Sequence, residues 1–143
     1  DPPEKSWKMV MKPERDQAPF LAITRELGRN PDITPVSCPM RDKNGNRLGW
    51  GGAMGPAQFI PSTWLGYKDK VAAITGQAAN PWDLRDAFLA AAIKLKAGGA
   101  DSLGGEWAAA MRYFSGSTNT KFRFYGDNVA AIAKGYQEDI ENL

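Results

Sequence analysis

At residues 49–64 the chain reads GWGGAMGPAQFIPSTW, and this stretch decides how the fold is interpreted. Its glycines remove Cβ clashes, so the backbone there can turn tightly and approach another chain or a ligand closely. Pro56 suits the first turn of a short helix, Pro61 ends that turn, and Ser62 is placed to cap the helix that follows. One polar side chain, Gln58, stands among apolar neighbours. We therefore expect a glycine loop, one helical turn and a buried amide, a combination typical of a ligand site on a helical scaffold.

A simpler interpretation of the same residues is a glycine-rich connector between helices, in which Gln58 only satisfies nearby backbone groups. Composition does not separate a connector from a site, but the order of the residues favours a site. Residues 52–64 resemble the signature of the lytic murein transglycosylases, enzymes with a lysozyme-like domain. The match is long and unbroken, so it is more specific than an isolated glycine pattern. In that family the glycine-rich turn and the glutamine line the groove that holds the glycan.

Two later stretches carry the same resemblance. Residues 80–83 read NPWD and residues 86–92 read DAFLAAA, which is similar to the family's Asp-Pro-Trp turn and the alanine-rich helix after it. Residues 109–117 and 125–129 are similar to the family's late Ala-Tyr-Asn-Gly segment and its closing helix, although Ser115 takes the place of the asparagine. The resemblance therefore covers nearly all of the chain beyond its first dozen residues.

This resemblance implies a function at the bacterial cell wall. Lytic transglycosylases cleave the β-1,4 bond between N-acetylmuramic acid and N-acetylglucosamine in peptidoglycan and release a 1,6-anhydro sugar. One glutamic acid protonates the leaving oxygen and then accepts the proton of the sugar's own 6-hydroxyl, so no water is consumed. The resemblance further implies a place in the bacterial envelope, periplasmic or extracellular, with peptidoglycan glycan strands as the partner and no cofactor.

The residues expected to contact the glycan follow from the same resemblance. Five of them lie in residues 49–59, named the glycine loop, and two lie in the later segments: Trp50, Met54, Gly55, Gln58 and Phe59, and then Tyr113 and Tyr125. Trp50 is the tryptophan best placed to stack on a sugar, because it lies within the loop. The other tryptophans of the helical segments are expected in the core, since buried rings are usual at helical spacing: Trp64, Trp82 and Trp107.

The position of the catalytic acid is left open by the sequence. A general acid needs a raised pKa, which a carboxyl group gains in an apolar pocket. In the family the acid follows the first core helix and precedes Ser or Thr, and no Glu-Ser or Glu-Thr pair occurs here. Glu26 is the one candidate within the chain, and its alternative is an exposed carboxylate paired with Arg25 or Arg29. We expect the acid to lie upstream of Asp1, so the catalytic residue is unknown.

Three functions therefore stay open. The first is a lytic transglycosylase domain, of which this chain would be the C-terminal part. The second is a non-catalytic peptidoglycan-binding or scaffold module that keeps the groove but lacks the acid. The third is a helical interaction domain with a coincidental glycine loop.

Composition excludes several other classes. The chain has 143 residues, enough for one domain with a modest core, and a net charge of +2, too small to indicate nucleic-acid binding. The absence of histidine excludes a Ser–His nucleophile pair and most zinc sites, and no metal is expected. No apolar run is long enough for a transmembrane helix. The single cysteine, Cys38, is either a buried thiol or half of a bridge to an upstream segment of the same protein.

Hydrophobic periodicity predicts an all-α fold, a partial lysozyme-like helical domain of about five to six helices with a long Pro/Gly-rich loop. We expect residues 1–13 to form an N-terminal arm or short extended segment and residues 14–143 to form a single domain. An alternative for the arm is that its apolar residues lie against the body of the domain, namely Trp7, Met9, Val10 and Met11. Asp16 is the predicted N-cap of the first helix, and Asn44-Gly45 in the long loop is expected to close a small hairpin. The predicted helices span residues 17–27, 63–75, 83–96, 106–114 and 122–140, and Gly76 is expected to end the second. The first and last helices each carry an apolar stripe, and the third has a predicted buried face: Phe20, Ile23, Thr24 and Leu27 in the first, Tyr125, Val129, Ile132, Ala133, Tyr136 and Ile140 in the last, and Phe88, Leu89, Ala92, Ile93 and Leu95 in the third.

Overall fold

The computed structural model describes residues 6–143, and within this range the chain is helical with seven α-helices and no regular strand. The predicted all-α class is therefore confirmed. The helices are α1 (Ser6–Val10), α2 (Ala18–Glu26), α3 (Pro61–Leu65), α4 (Lys68–Thr75), α5 (Leu84–Ala97), α6 (Glu106–Ser115) and α7 (Arg123–Glu141). A π-helical turn (Pro13–Gln17) leads into α2, and 3₁₀ turns lie at Pro31–Ile33 and Thr120–Phe122. None of these helices is both long and apolar enough to cross a bilayer.

The chain divides into two compact units, of which the first ends at Ala90 and the second begins at Ala91. Helix α5 starts in the first unit and ends in the second. The single domain predicted over residues 14–143 stays a prediction, because two packed units can belong to one domain. Each unit is described separately.

The core of the first unit is built around Phe20 and Trp64, whose side chains are both fully buried. Helix α2 packs against α3, and the π-helical turn contacts both helices. The apolar stripe predicted for α2 is confirmed at Phe20, Ile23 and Thr24, which are all buried. The ring of Phe59 meets Trp64 edge-on with 5.6 Å between centroids, so the end of the glycine loop belongs to this core.

The N-terminal segment differs from the predicted extended arm. Residues 1–5 of that arm lie outside the described residues, while α1 begins at Ser6. The side chain of Trp7 is 6% exposed and that of Met11 is fully buried. The Trp7 indole N–H donates to the carboxylate of Asp32 at 2.9 Å, and its ring lies 5.9 Å from that of Phe20. Burying these large apolar side chains favours a packed helix over an extended, solvated segment.

The carboxylate of Asp16 is fully buried, but it does not cap α2 as predicted. Its Oδ1 accepts hydrogen bonds from the Ser62 backbone N–H at 3.2 Å and from the Ser62 hydroxyl at 2.8 Å. Its Oδ2 pairs with the guanidinium of Arg15 at 2.7 Å. Because the π-helical turn already runs into α2, Asp16 lies inside a helical run, and it satisfies the first turn of α3 instead.

The single helix predicted over residues 63–75 is two helices, α3 and α4. The break lies at Gly66 and Tyr67, whose backbone N–H groups donate to the carbonyls three residues back, at 3.0 and 2.9 Å. These shorter bonds tighten the last turn of α3 and end it. Gly76 ends α4 as expected, with a left-handed φ of 75°.

The hairpin predicted at Asn44-Gly45 is confirmed. Arg41 and Arg47 form an isolated antiparallel bridge, and the Leu48 N–H donates to the Met40 carbonyl at 2.8 Å. The pairing is too short to count as a strand, which is consistent with the all-α class.

The second unit is held by close packing of α6 on α7, where Gly126 is buried. A Cβ at Gly126 would lie 2.8 Å from Met111 Cγ and 2.7 Å from Trp107 Nε1, so only glycine allows this approach. The Trp107 indole N–H donates to Asp127 at 2.8 Å, and Arg123 pairs with the same carboxylate at 3.0 Å. The Arg123 bond and then the Trp107 bond lower the pKa of Asp127 below its ordinary value.

The apolar stripe predicted on α7 is only half covered. Tyr125 and Val129 are half-buried, whereas Ile132, Tyr136 and Ile140 are 59%, 66% and 63% exposed. α6 has 10 residues and α7 has 19, so α6 is too short to cover the whole stripe.

Phe88 lies on the part of α5 that belongs to the first unit. It was predicted to be buried, but it is 54% exposed.

We predict that Asp16→Ala lowers the free energy of unfolding by about 3 kcal/mol, because it leaves Arg15 and the two donors of the half-buried Ser62 without their acceptor. Urea denaturation measures this loss. The matched control is Asp69→Ala, since the Asp69 side chain is 87% exposed and pairs only with Lys68; its effect should stay within about 0.5 kcal/mol. Equal losses in the two variants would contradict a structural role for the buried carboxylate.

Candidate functional site

An open cleft of about 310 Å³ lies beside the glycine loop in the first unit. It brings together the loop before the hairpin, the glycine loop and the turn at residues 80–83. The lining residues are Pro35, Val36, Ser37, Ala53, Gly55, Gln58 and Trp82. None of these side chains carries a formal charge, so the cleft offers an aromatic ring, a hydroxyl and an amide to a neutral ligand.

The floor of the cleft is formed where the glycine loop pairs with the segment around Ser37. The Ser37 N–H donates to the Ala53 carbonyl at 2.9 Å, and the Gly52 N–H donates to the Ser37 carbonyl at 2.8 Å. The Ser37 hydroxyl accepts a further bond from the Ala53 N–H at 3.0 Å. A Cβ at Gly51 would overlap the Ser37 carbonyl, so this pairing requires glycine at that position.

Residues 55–58 form a tight turn rather than the predicted turn of helix. The turn is closed by the Met54 N–H, which donates to the Phe59 carbonyl at 2.9 Å. Gly55 has a φ of 61°, and a Cβ there would overlap the carbonyl oxygen of Pro81. The positive φ and the contact with Pro81 both prevent a helical start at Pro56, and together they place this turn against the NPWD turn.

Gln58 is exposed and not buried as predicted. Its φ is 56°, a left-handed conformation that side-chain-bearing residues adopt at a cost of about 1–3 kcal/mol. Its Nε2 donates to the Gly55 carbonyl at 2.8 Å, the local contact that the connector interpretation expected. Among residues 6–143 no donor reaches the amide oxygen, so that oxygen is available to a ligand in the cleft.

Trp82 forms a wall of the cleft and is half-buried, whereas the sequence placed it in the core. Its indole N–H donates to the Pro35 carbonyl at 2.9 Å, and its ring meets Phe20 edge-on at 6.4 Å. The guanidinium of Arg29 lies over the ring, 4.7 Å from its centroid. These contacts hold the ring in one position, as a preformed binding surface requires.

Of the loop residues predicted to bind substrate, Gly55 and Gln58 line the cleft. Met54 and Phe59 are 0% and 3% exposed, so their side chains support the turn from the core. Trp50 is 46% exposed and stacks with Arg47 at 4.2 Å, but it is not among the residues that line the cleft.

Tyr113 and Tyr125 belong to the second unit, and their part in substrate binding stays a prediction. The Lys94 ammonium lies 4.3 Å from the centroid of the Tyr113 ring, and the ring of Tyr125 stacks on Phe114 at 4.4 Å. Burial lowers the pKa of Lys94 below its ordinary value.

Glu26 lies on the surface with its side chain 42% exposed, and it pairs with Lys68 at 3.0 Å. This corresponds to the alternative interpretation of an exposed ion pair, with Lys68 in place of Arg25 or Arg29. Every glutamate between residues 6 and 143 is exposed, so none of them occupies the apolar pocket that a general acid needs. Cys38 is also exposed, and the interpretation as a buried thiol is therefore wrong.

Comparisons with protein-family models, with curated proteins and with solved structures find no match to this chain. The physical basis for a function is therefore the cleft and the residues that build it.

The sequence did not indicate Pro35, Val36 and Ser37 as part of a site. A proline-rich loop is irregular by its composition, and its pairing with the glycine loop is a tertiary contact without a local signal. The NPWD motif did predict a turn at Trp82. In the structure the Asn80 side chain accepts the Trp82 N–H at 3.0 Å and fixes that turn.

We predict that Gly55→Ala destabilises the first unit more than Gly28→Ala does, by about 1–3 kcal/mol in the free energy of unfolding. The two glycines have nearly the same φ, 61° and 64°, but a Cβ at Gly28 meets nothing within 4 Å, whereas a Cβ at Gly55 overlaps Pro81. Urea denaturation of both variants isolates the cost of the overlap. Equal destabilisation would show that the contact between the two turns does not constrain the cleft.

Proposed function

We propose that this chain provides the glycan-binding cleft of a peptidoglycan lytic transglycosylase of the bacterial envelope. The observation that carries the proposal is that residues 52–64, which resemble that family's signature, form one side of an open, uncharged cleft. Trp82 and Gln58 stand on its walls. An aromatic surface with a few fixed polar groups is suited to a sugar, which has apolar C–H faces and many hydroxyl and amide groups.

In the proposed mechanism the cleft positions the glycan strand, and an acid cleaves it. The Gln58 amide oxygen accepts a hydrogen bond from a sugar hydroxyl or N-acetyl N–H, and the Trp82 ring packs against a sugar ring. A glutamic acid then protonates the glycosidic oxygen, and the C6 hydroxyl attacks the anomeric carbon and gives its proton to the same carboxylate. Because every described glutamate is exposed, we propose that this acid comes from a segment upstream of Asp1.

A specific observation also favours a second function, a non-catalytic peptidoglycan-binding or scaffold module. Such a module needs the cleft and no acid, and no glutamate in residues 6–143 has the burial that a general acid requires. Both functions predict glycan binding at Gln58, and they differ only in bond cleavage.

We predict that removing the Gln58 amide weakens binding of a chitooligosaccharide several-fold, since a neutral hydrogen bond contributes about 0.5–1.5 kcal/mol net. Gln58→Gly is the sharpest variant, because glycine suits the φ of 56° and keeps the turn while it removes the amide. Titration calorimetry measures the affinity, and Gln77→Ala on the exposed surface is the control. Unchanged affinity in Gln58→Gly would leave the amide with a structural role only and contradict the proposed cleft.

We predict that the 143-residue chain by itself releases little 1,6-anhydro product from purified peptidoglycan, because general acid catalysis contributes about 10²–10⁴-fold and no glutamate among residues 6–143 is buried as a general acid would be. A longer protein that carries the upstream glutamate should release it, and its Glu→Gln variant should not. Mass spectrometry of digested sacculi measures the product. Release by the isolated chain that is lost in Glu26→Gln would show that Glu26 is the acid. Binding without release by any longer form would favour the scaffold function.

A further inference from the structure

Arg29 is a positive charge that contacts Trp82, the aromatic wall of the uncharged cleft, although Arg29 itself is not a lining residue. Its backbone N–H donates to the Thr24 carbonyl at 2.8 Å, just beyond the end of α2, and the residue is half-buried. Its guanidinium lies 4.7 Å from the centroid of the Trp82 ring, and that ring lines the cleft. Both the backbone and the end of the side chain are therefore held in place.

The guanidinium of Arg29 has no polar partner among residues 6–143. The two acidic residues nearest to it along the chain are engaged elsewhere: Asp32 accepts from Trp7 at 2.9 Å, and Glu26 pairs with Lys68 at 3.0 Å. Two other arginines of the first unit are paired with carboxylates, since Arg15 and Arg85 each contact the aspartate that follows them. The five N–H donors of Arg29 are thus held against a ring and have no acceptor within the described part of the chain.

We infer that Arg29 determines the specificity of the cleft by binding a carboxylate of the glycan ligand. This inference rests on the proposed function and deepens it. A guanidinium stacked on an indole is already ordered, so it loses little freedom when it forms a forked pair with a carboxylate. Because the cleft walls are neutral, Arg29 is the group that distinguishes an acidic wall glycan from a neutral chitin-type glycan.

A wall glycan can supply the carboxylate from two sources. In peptide-free strands the lactyl group of N-acetylmuramic acid is a free carboxylate, whereas in peptide-bearing strands that group is an amide and the carboxylates lie on the stem peptide. Three probes separate these sources: tetra-N-acetylglucosamine, a peptide-free tetrasaccharide of N-acetylglucosamine and N-acetylmuramic acid, and the same tetrasaccharide with stem peptides.

The test is calorimetric titration of these three probes into the full chain and into Arg29→Gln at low salt. We expect the unmodified chain to bind at least one acidic probe about tenfold more tightly than the neutral one. Arg29→Gln should remove that preference and leave the affinity for the neutral probe within about twofold. Added salt should weaken acidic binding selectively. The matched control is Arg25→Gln, an exposed arginine in the last turn of α2, which should change neither affinity.

The acidic probe that shows the preference identifies the source of the carboxylate. Equal affinity of the unmodified chain for all three probes would overturn the inference while leaving the proposed cleft intact. An equal loss for neutral and acidic probes in Arg29→Gln would overturn it too, because Arg29 would then only hold Trp82. Failure of the unmodified chain to bind any of the saccharides would overturn the proposed function and this inference with it.

Discussion

The first unit depends on the buried carboxylate of Asp16 and its bonds to Ser62. A fully buried charge is tolerated only when other groups match it, and here Arg15 and two donors of Ser62 do so. Ser62 lies shortly after the glycine loop, so the same bonds attach the end of that loop to the π-helical turn that leads into α2. Asp86 makes a similar set of bonds at the NPWD turn. It accepts a hydrogen bond from the Asn80 N–H at 3.0 Å and pairs with Arg85 at 2.9 Å.

The two buried aspartates restrict the backbone around the cleft, because Asp16 binds Ser62 after the glycine loop and Asp86 binds Asn80 in the NPWD turn. This restriction determines the shape of the cleft. The glycine loop must pair with Ser37 on one side and press against Pro81 on the other, and both contacts exclude a Cβ. A turn constrained from both sides can hold one residue in an unfavourable conformation, and that residue is Gln58. The local strain at Gln58 is thus offset by packing elsewhere in the unit.

The features that the sequence predicted well are those with local causes. Asn44-Gly45 made a hairpin and Gly76 ended a helix, because turn chemistry acts over a few residues. The features that it missed have distant causes. Aspartate is a common N-cap residue, which is why Asp16 was predicted to cap α2, but its partner Ser62 lies 46 residues further along the chain. The sequence of α7 predicted an apolar face, but it did not indicate how much of that face α6 would cover.

Packing explains some residues of the glycine-rich stretch and leaves one of them unexplained. Packing alone accounts for Gly51 and Gly55, because any chain that pairs these segments so closely needs glycine there. Packing does not account for Gln58, since an exposed residue at a φ of 56° would be less strained as glycine. The Gln58 side chain makes one supporting bond, from its Nε2 to the Gly55 carbonyl, and its amide oxygen lies at the cleft without a partner among residues 6–143. Gln58 and Trp82 are therefore the residues that suit this cleft to a ligand, whereas the glycines around them only allow its segments to pack.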